Sequence, residues 1–141
     1  MIGRLAHYAV RVTDLEVSKA FYTQVLGFRT GPRPPFGFPG VWLYLGSSAD
    51  RDDQGCVHLI GPGEGRSVEA YLGDRRSDGR ADTGALDHIA FMADDWFSCR
   101  ERLARHDVRF TERQVPTLNL RQVFLADPDG VILELNFLAE S

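Results

Sequence analysis

Leu86-Asp87-His88-Ile89-Ala90-Phe91 repeats Leu5-Ala6-His7-Tyr8-Ala9-Val10, each residue lying 81 positions beyond its match, and these two hexapeptides decide how the chain is read. Leu5/Leu86, His7/His88 and Ala9/Ala90 are identical, and so is Asp14/Asp95 further on. A repeat of this kind points to two copies of one structural unit. In the first copy, residues 5–13 alternate as a strand does. Thr13-Asp14-Leu15-Glu16 then reads as a capping box that opens a helix. Val17, Ala20, Phe21, Val25 and Leu26 recur at helical spacing, and Gly27 is placed to end that helix in a left-handed conformation. Phe28 to Thr30, a Pro/Gly-rich loop over 31–40, and two β-rich runs at 41–45 and 56–60 complete the copy.

The second copy has the same order. A strand is predicted over about 86–93, followed by a helix from Asp94 or Asp95 with Trp96, Cys99 and Leu103 on one face. Strands follow at 108–115, 120–126 and 131–137. The last two are joined by Asp127-Pro128-Asp129-Gly130, where Pro pre-sets one dihedral and Gly supplies a positive φ. The expected fold class is α+β: two tandem β-α-β-β-β modules forming a curled mixed sheet around a cleft. One domain over 1–141 is expected, with module 1 at about 4–61, a linker at about 62–84 and module 2 at about 85–138. Val68-Glu69-Ala70-Tyr71-Leu72 is a candidate short packed element within the linker.

Composition agrees with a globular enzyme-sized unit. The chain has 141 residues, 43% apolar and 26% charged, enough to bury one core and coat the surface. A net charge of −4 offers no concentrated basic patch for nucleic acid, and Arg75, Arg76 and Arg80 are interleaved with Asp74, Asp78 and Asp82 in what reads as a solvated loop. No apolar run reaches the roughly 20 residues of a membrane helix. The first residues are too short and polar for a signal peptide. Cys56 and Cys99 lack metal-type spacing and read as two buried thiols of a cytoplasmic protein.

Three of the four histidines fall inside predicted strands. One such histidine alone is most simply a satisfied core or cleft residue. The set is more specific. His7 and His88 occupy equivalent positions in the two first strands, and His58 and Glu134 occupy equivalent positions in the two last strands. Each lies on the less apolar face of its strand, away from Tyr8 and Val10, Ile89 and Phe91, or Leu133 and Leu135. Imidazole and carboxylate form a normal ligand mixture for a divalent ion such as Fe, Mn, Ni, Co or Zn. A cation beside Glu134 would also remove the cost of burying an unpaired carboxylate. His7, His58, His88 and Glu134 are therefore the candidate metal ligands. Phe36, Phe38 and Trp42 give the stiff Pro-rich loop an aromatic surface. The loop reads either as packed on the core or as an apolar lid, and Arg121 and Phe124 are further candidates to line the pocket.

The β-α-β-β-β duplication resembles the vicinal-oxygen-chelate superfamily, which includes glyoxalase I, methylmalonyl-CoA epimerase, extradiol dioxygenases and bleomycin-binding proteins. Three stretches carry the likeness: Phe21-Tyr22-Thr23-Gln24-Val25-Leu26-Gly27-Phe28, Leu86-Asp87-His88-Ile89-Ala90-Phe91, and Phe124-Leu125-Ala126-Asp127-Pro128-Asp129-Gly130-Val131-Ile132-Leu133-Glu134-Leu135. The resemblance implies a glyoxalase-like fold, one divalent metal ion, a small-molecule substrate with vicinal oxygens, and pairing into a homodimer. Proton-transfer, lyase or isomerase chemistry is the first expectation, with Glu134 or His58 implied as the catalytic base. Extradiol ring cleavage on ferrous iron is the alternative, although Phe124 stands where those enzymes carry a tyrosine. His58 stands where glyoxalase I usually has glutamate. A ligand-sequestering resistance protein is the reading from a different class, and the His/His/Glu set weighs against it. One fold hosts several chemistries, so the likeness speaks to fold before reaction.

Overall fold

Tyr8–Arg11 forms strand β1 in the computed structural model, which describes residues 1, 5–45, 55–63 and 86–138. The strand expected over 5–13 narrows to these four residues because only they have paired neighbours, from Tyr8 opposite Val57 to Arg11 opposite Ile60. Helix α1 follows at Leu15–Ala20. Its N-cap is Asp14, whose Oδ1 accepts from the Val17 amide at 3.1 Å, so the cap lies one residue beyond the Thr13 of the expected box. Asp14→Ala is expected to cost about 1 kcal/mol, read as a lower urea midpoint at unchanged slope. An unmoved midpoint would mean that this bond contributes nothing.

The helix then widens into a π-helical turn at Phe21–Val25. The Thr23 hydroxyl donates to the Lys19 carbonyl at 2.8 Å, competing with the ordinary backbone bond, and Leu26 N–H reaches back five residues to Phe21. Gly27 ends the turn at φ +80°, as its position predicts. The buried face differs from the one read off the spacing. Ser18, Tyr22 and Val25 are enclosed, whereas Val17 is 52% exposed. The enclosed residues follow an 18–22–25 stripe, at the spacing of one helical face.

Strands β2 (Arg29–Gly31), β3 (Gly40–Tyr44) and β4 (Val57–Ile60) complete the first unit. The second unit contains β5 (Ile89–Ala93), α2 (Trp96–Arg105), β6 (Phe110–Val115), β7 (Leu120–Ala126) and β8 (Ile132–Leu138), with a 3-10 turn at Pro116–Leu118. Each unit holds one four-stranded mixed sheet, and the strand orders correspond: β1-β4-β3-β2 and β5-β8-β7-β6. In each, the first strand runs parallel to the last, and the remaining pairs are antiparallel. The β-α-β-β-β order expected from the repeat is thus present twice. By its contacts the chain divides into units Met1–Thr83 and Gly84–Ser141.

Helix α2 buries Cys99 and Leu103, as the periodicity requires, and Trp96 packs against Phe110 and Phe137. Asp95 caps the helix through the Ser98 amide and hydroxyl, and these bonds hold its carboxyl below the ordinary value. The cap is therefore at full strength above the ordinary carboxylate range and is lost as pH falls through the lowered value. Between β7 and β8, Asp127 Oδ1 accepts from the amides of Asp129 and Val131, both at 2.8 Å, and Gly130 takes φ +87°. The turn thus depends on Asp127 as well as on Pro128 and Gly130.

Neither cysteine forms a disulfide. Cys99 is buried but Cys56 is only half-buried, which corrects the expectation of two enclosed thiols. Burial pushes the Cys99 thiol up, with Arg102 opposing. No helix among the described residues is long and apolar enough to cross a membrane. The Val68–Leu72 element, the Arg75–Arg80 loop and most of the expected linker lie outside the described residues.

Candidate functional site

Parallel pairing of the first and last strand in each unit sets the donor residues side by side. Ala9 stands opposite His58 in one unit, and Ala90 stands opposite Glu134 in the other. Alternate residues of a strand share a face, so His7 joins His58 and His88 joins Glu134. The two pairs occupy corresponding places in the two sheets.

In the first unit the His7 and His58 rings stack with centroids 3.9 Å apart and planes 18° from parallel. Trp42, directly across from His58 on β3, stacks on the other face of that ring at 4.0 Å and 4°. His58 is therefore sandwiched, and only its nitrogen-bearing edge can reach another group. It is 6% exposed, whereas His7 is open to solvent. The aromatic run continues through Phe36, 6.3 Å from Trp42, to Phe38, stacked on Phe36 at 5.2 Å. Phe38 and Ile60 form a buried cluster against which Phe36 packs. Arg33 lies over both phenylalanines and donates to the Phe38 carbonyl at 2.9 Å. The loop is thus tied to its own unit, with Phe38 turned inward and Phe36 and Trp42 extending the wall beside His58.

In the second unit His88 Nε2 lies 2.7 Å from Glu134 Oε2, and His88 Nδ1 lies 2.6 Å from Asp87 Oδ2. Gln122 Nε2 donates to Glu134 Oε1 at 2.6 Å and to Asn136 Oδ1 at 3.1 Å. Phe124 stands opposite Glu134 and meets the His88 ring edge-on at 5.9 Å. Arg121 has the other parity. It pairs across from Phe137, lies over Trp96 of α2 at 5.1 Å, and bonds Glu112 at 3.0 Å. That places Arg121 on the helix-covered face, so its expected role in lining a pocket with Glu134 is corrected.

The donor chemistry suits a cation. A neutral His88 that donates Nδ1–H to Asp87 turns a lone pair towards a carboxylate oxygen at 2.7 Å. Two acceptors at that distance repel unless a proton or a metal ion lies between them. Glu134 is 6% exposed, and its oxygens meet one amide and one imidazole. A buried carboxylate so placed gains from a positive charge. Asp87 behind His88 has the position of an orienting carboxylate. Among the described residues no three or more His, Cys, Asp or Glu side chains are gathered as a metal cluster, and the donors stand as two pairs.

Gln122, Asn136 and Arg113 were missed by the sequence reading. The signal was present: Gln122 is two residues from Phe124 and Asn136 two from Glu134, so period-two parity places both on the glutamate's face.

The family model described as the Glyoxalase/Bleomycin resistance protein/Dioxygenase superfamily matches residues 4–135. Lactoylglutathione lyase of Salmonella typhimurium is 30% identical over 138 residues, covering 94% of this chain and 90% of that protein. Ethylmalonyl-CoA/methylmalonyl-CoA epimerase of Cereibacter sphaeroides is 29% identical over 113 residues, covering 77% of this chain and 75% of its own. Among solved structures, a glyoxylase/bleomycin resistance protein/dioxygenase domain from Frankia sp. EAN1pec superposes with a TM-score of 0.66 at 21% identity, covering 97% and 98% of the two chains. That structural likeness speaks to fold alone.

Proposed function

The chain belongs to the glyoxalase/bleomycin resistance protein/dioxygenase superfamily, and on that premise we propose a metal-dependent enzyme that moves a proton on a small organic substrate with two adjacent oxygens. The observation that carries this reading is the matching register of the two donor pairs, His7 with His58 and His88 with Glu134. In this reading these residues are the ligands of a divalent ion. Bound there, the ion would polarise the substrate oxygens as a Lewis acid and acidify the adjoining C–H.

The chain's own residues do the rest. Glu134 and His58 carry the proton, taken from the substrate carbon and returned to the same carbon or its neighbour, so no oxidant is needed. Stacking between Trp42 and His7 fixes the plane of His58. Phe36 and Trp42 offer apolar surface to the body of the substrate and exclude water from the proton path. The similarity to an epimerase and a lyase supports proton transfer over oxygen chemistry. Phe124 has no hydroxyl to donate to a catecholate, which further disfavours ring cleavage.

The test is proton exchange. Metal-loaded protein in deuterated water is incubated with a malonyl-type acyl thioester or with the hemithioacetal of an α-ketoaldehyde, and deuterium entering the carbon beside the carbonyl is followed by NMR. Exchange that depends on metal and fails in His58→Ala is expected. Ferrous iron with oxygen uptake on catechols would overturn the reading, as would tight ligand binding with no exchange.

A further inference from the structure

Arg113, on β6, faces Gln122 across the β6–β7 pair and donates Nε–H to its Oε1 at 2.6 Å. Arginine has donors only, so the Gln122 amide must turn its oxygen to Arg113 and its NH2 the other way. Both hydrogens of that NH2 meet acceptors, Glu134 Oε1 at 2.6 Å and Asn136 Oδ1 at 3.1 Å. The same guanidinium lies over the Phe124 ring at 5.4 Å, and Phe124 abuts His88. Gln122 and Asn136 are both buried, at 9% and 8% exposure, so the amide orientation is not shared with bulk water.

We propose that Gln122 is a positioning residue that makes Glu134 a one-oxygen donor, and that Arg113 sets the orientation in which Gln122 does so. Oε1 is committed to the amide and Oε2 alone faces His88. The inference rests on the metal-enzyme reading for its purpose, but the hydrogen-bonded chain Arg113–Gln122–Glu134–His88 stands within one unit. Among the described residues of the first unit the matching places hold no such device: pairing registers make Gly40 the counterpart of Gln122 and Ile60 that of Asn136. The duplication therefore keeps the donor pairs alike and confines the amide support to the half that holds the carboxylate.

The experiment titrates cobalt(II) into wild type, Gln122→Leu, Arg113→Met, Arg113→Lys and the Gln122→Leu/Arg113→Met double variant. Affinity and the visible absorption of the bound ion are both read. Gln122→Leu is expected to weaken binding about 10–100-fold, the usual effect of losing an outer hydrogen-bond partner. Its spectrum is expected to change, because Oε1 is released to coordinate. Arg113→Met should change both in the same direction, Arg113→Lys should restore part of the loss, and Arg113→Met should add nothing once Gln122 is leucine. Wild-type affinity and spectrum in both Gln122→Leu and Arg113→Met would overturn the proposal, and strictly additive losses would overturn the part assigned to Arg113. Thermal melting of the same set without metal is the independent arm. Coupled losses support the chain and uncoupled losses overturn it, even if wild type binds no cobalt, a result that would sink the metal-enzyme reading instead.

Discussion

Glu134→Ala is expected to abolish tight metal binding and to lower turnover by about 10²–10⁴-fold, the range for removing a positioned acid–base group. The carboxylate is enclosed and its oxygens face Gln122 on one side and His88 on the other. Alanine would leave both partners facing a small void. A cleaner variant is Glu134→Gln, which keeps the shape and removes the charge. Its stability should depend on metal in a diagnostic way. Without metal, a buried carboxylate is costly, so the glutamine variant should equal or exceed wild type. With metal, wild type should be the more stable, because only it gains RT ln(1 + [M]/Kd), about 2.7 kcal/mol at a hundredfold excess over Kd. Calorimetric melts with and without added metal check both signs. Wild type more stable than Glu134→Gln in each condition would mean that the carboxylate is satisfied without a cation.

Leu103→Ala should be among the most damaging core substitutions in the second unit. Leu103 is fully enclosed on the inner face of α2, and truncating such a leucine costs about 2–5 kcal/mol through lost transfer energy and the cavity left behind. Against a total stability of about 5–15 kcal/mol, that is a large share. Urea unfolding should show a lower midpoint with little change of slope. A loss below about 1 kcal/mol would show that α2 collapses onto the vacated space, contrary to the close packing expected of a core.

The repeat and strand alternation made the topology legible because both are properties of periodicity and order, which sequence carries directly. His7, His58, His88 and Glu134 could be nominated for the same reason: equivalence under the repeat singled them out. Most of what escaped depends on geometry, but one misplacement was legible from alternation. Arg121 and Phe124 are three residues apart in one strand, and parity alone sends them to opposite faces. The buried face of this helical segment was misread because apolar spacing alone does not choose between stripes: Ser18 and Tyr22 are enclosed while Val17 is exposed. The π turn was invisible because it turns on a single hydroxyl, that of Thr23. Gln122 was overlooked because a glutamine two places before a phenylalanine has no meaning until a paired strand puts a glutamate beside it.

The central claim is that the nominated donors bind a divalent cation. Metal stoichiometry in protein purified without chelators tests it most directly, comparing wild type with His7→Ala and His88→Ala, one substitution in each unit. The account predicts one ion per chain in wild type and its loss, or a large fall in affinity, in either variant. Full retention of the ion in either one would contradict it.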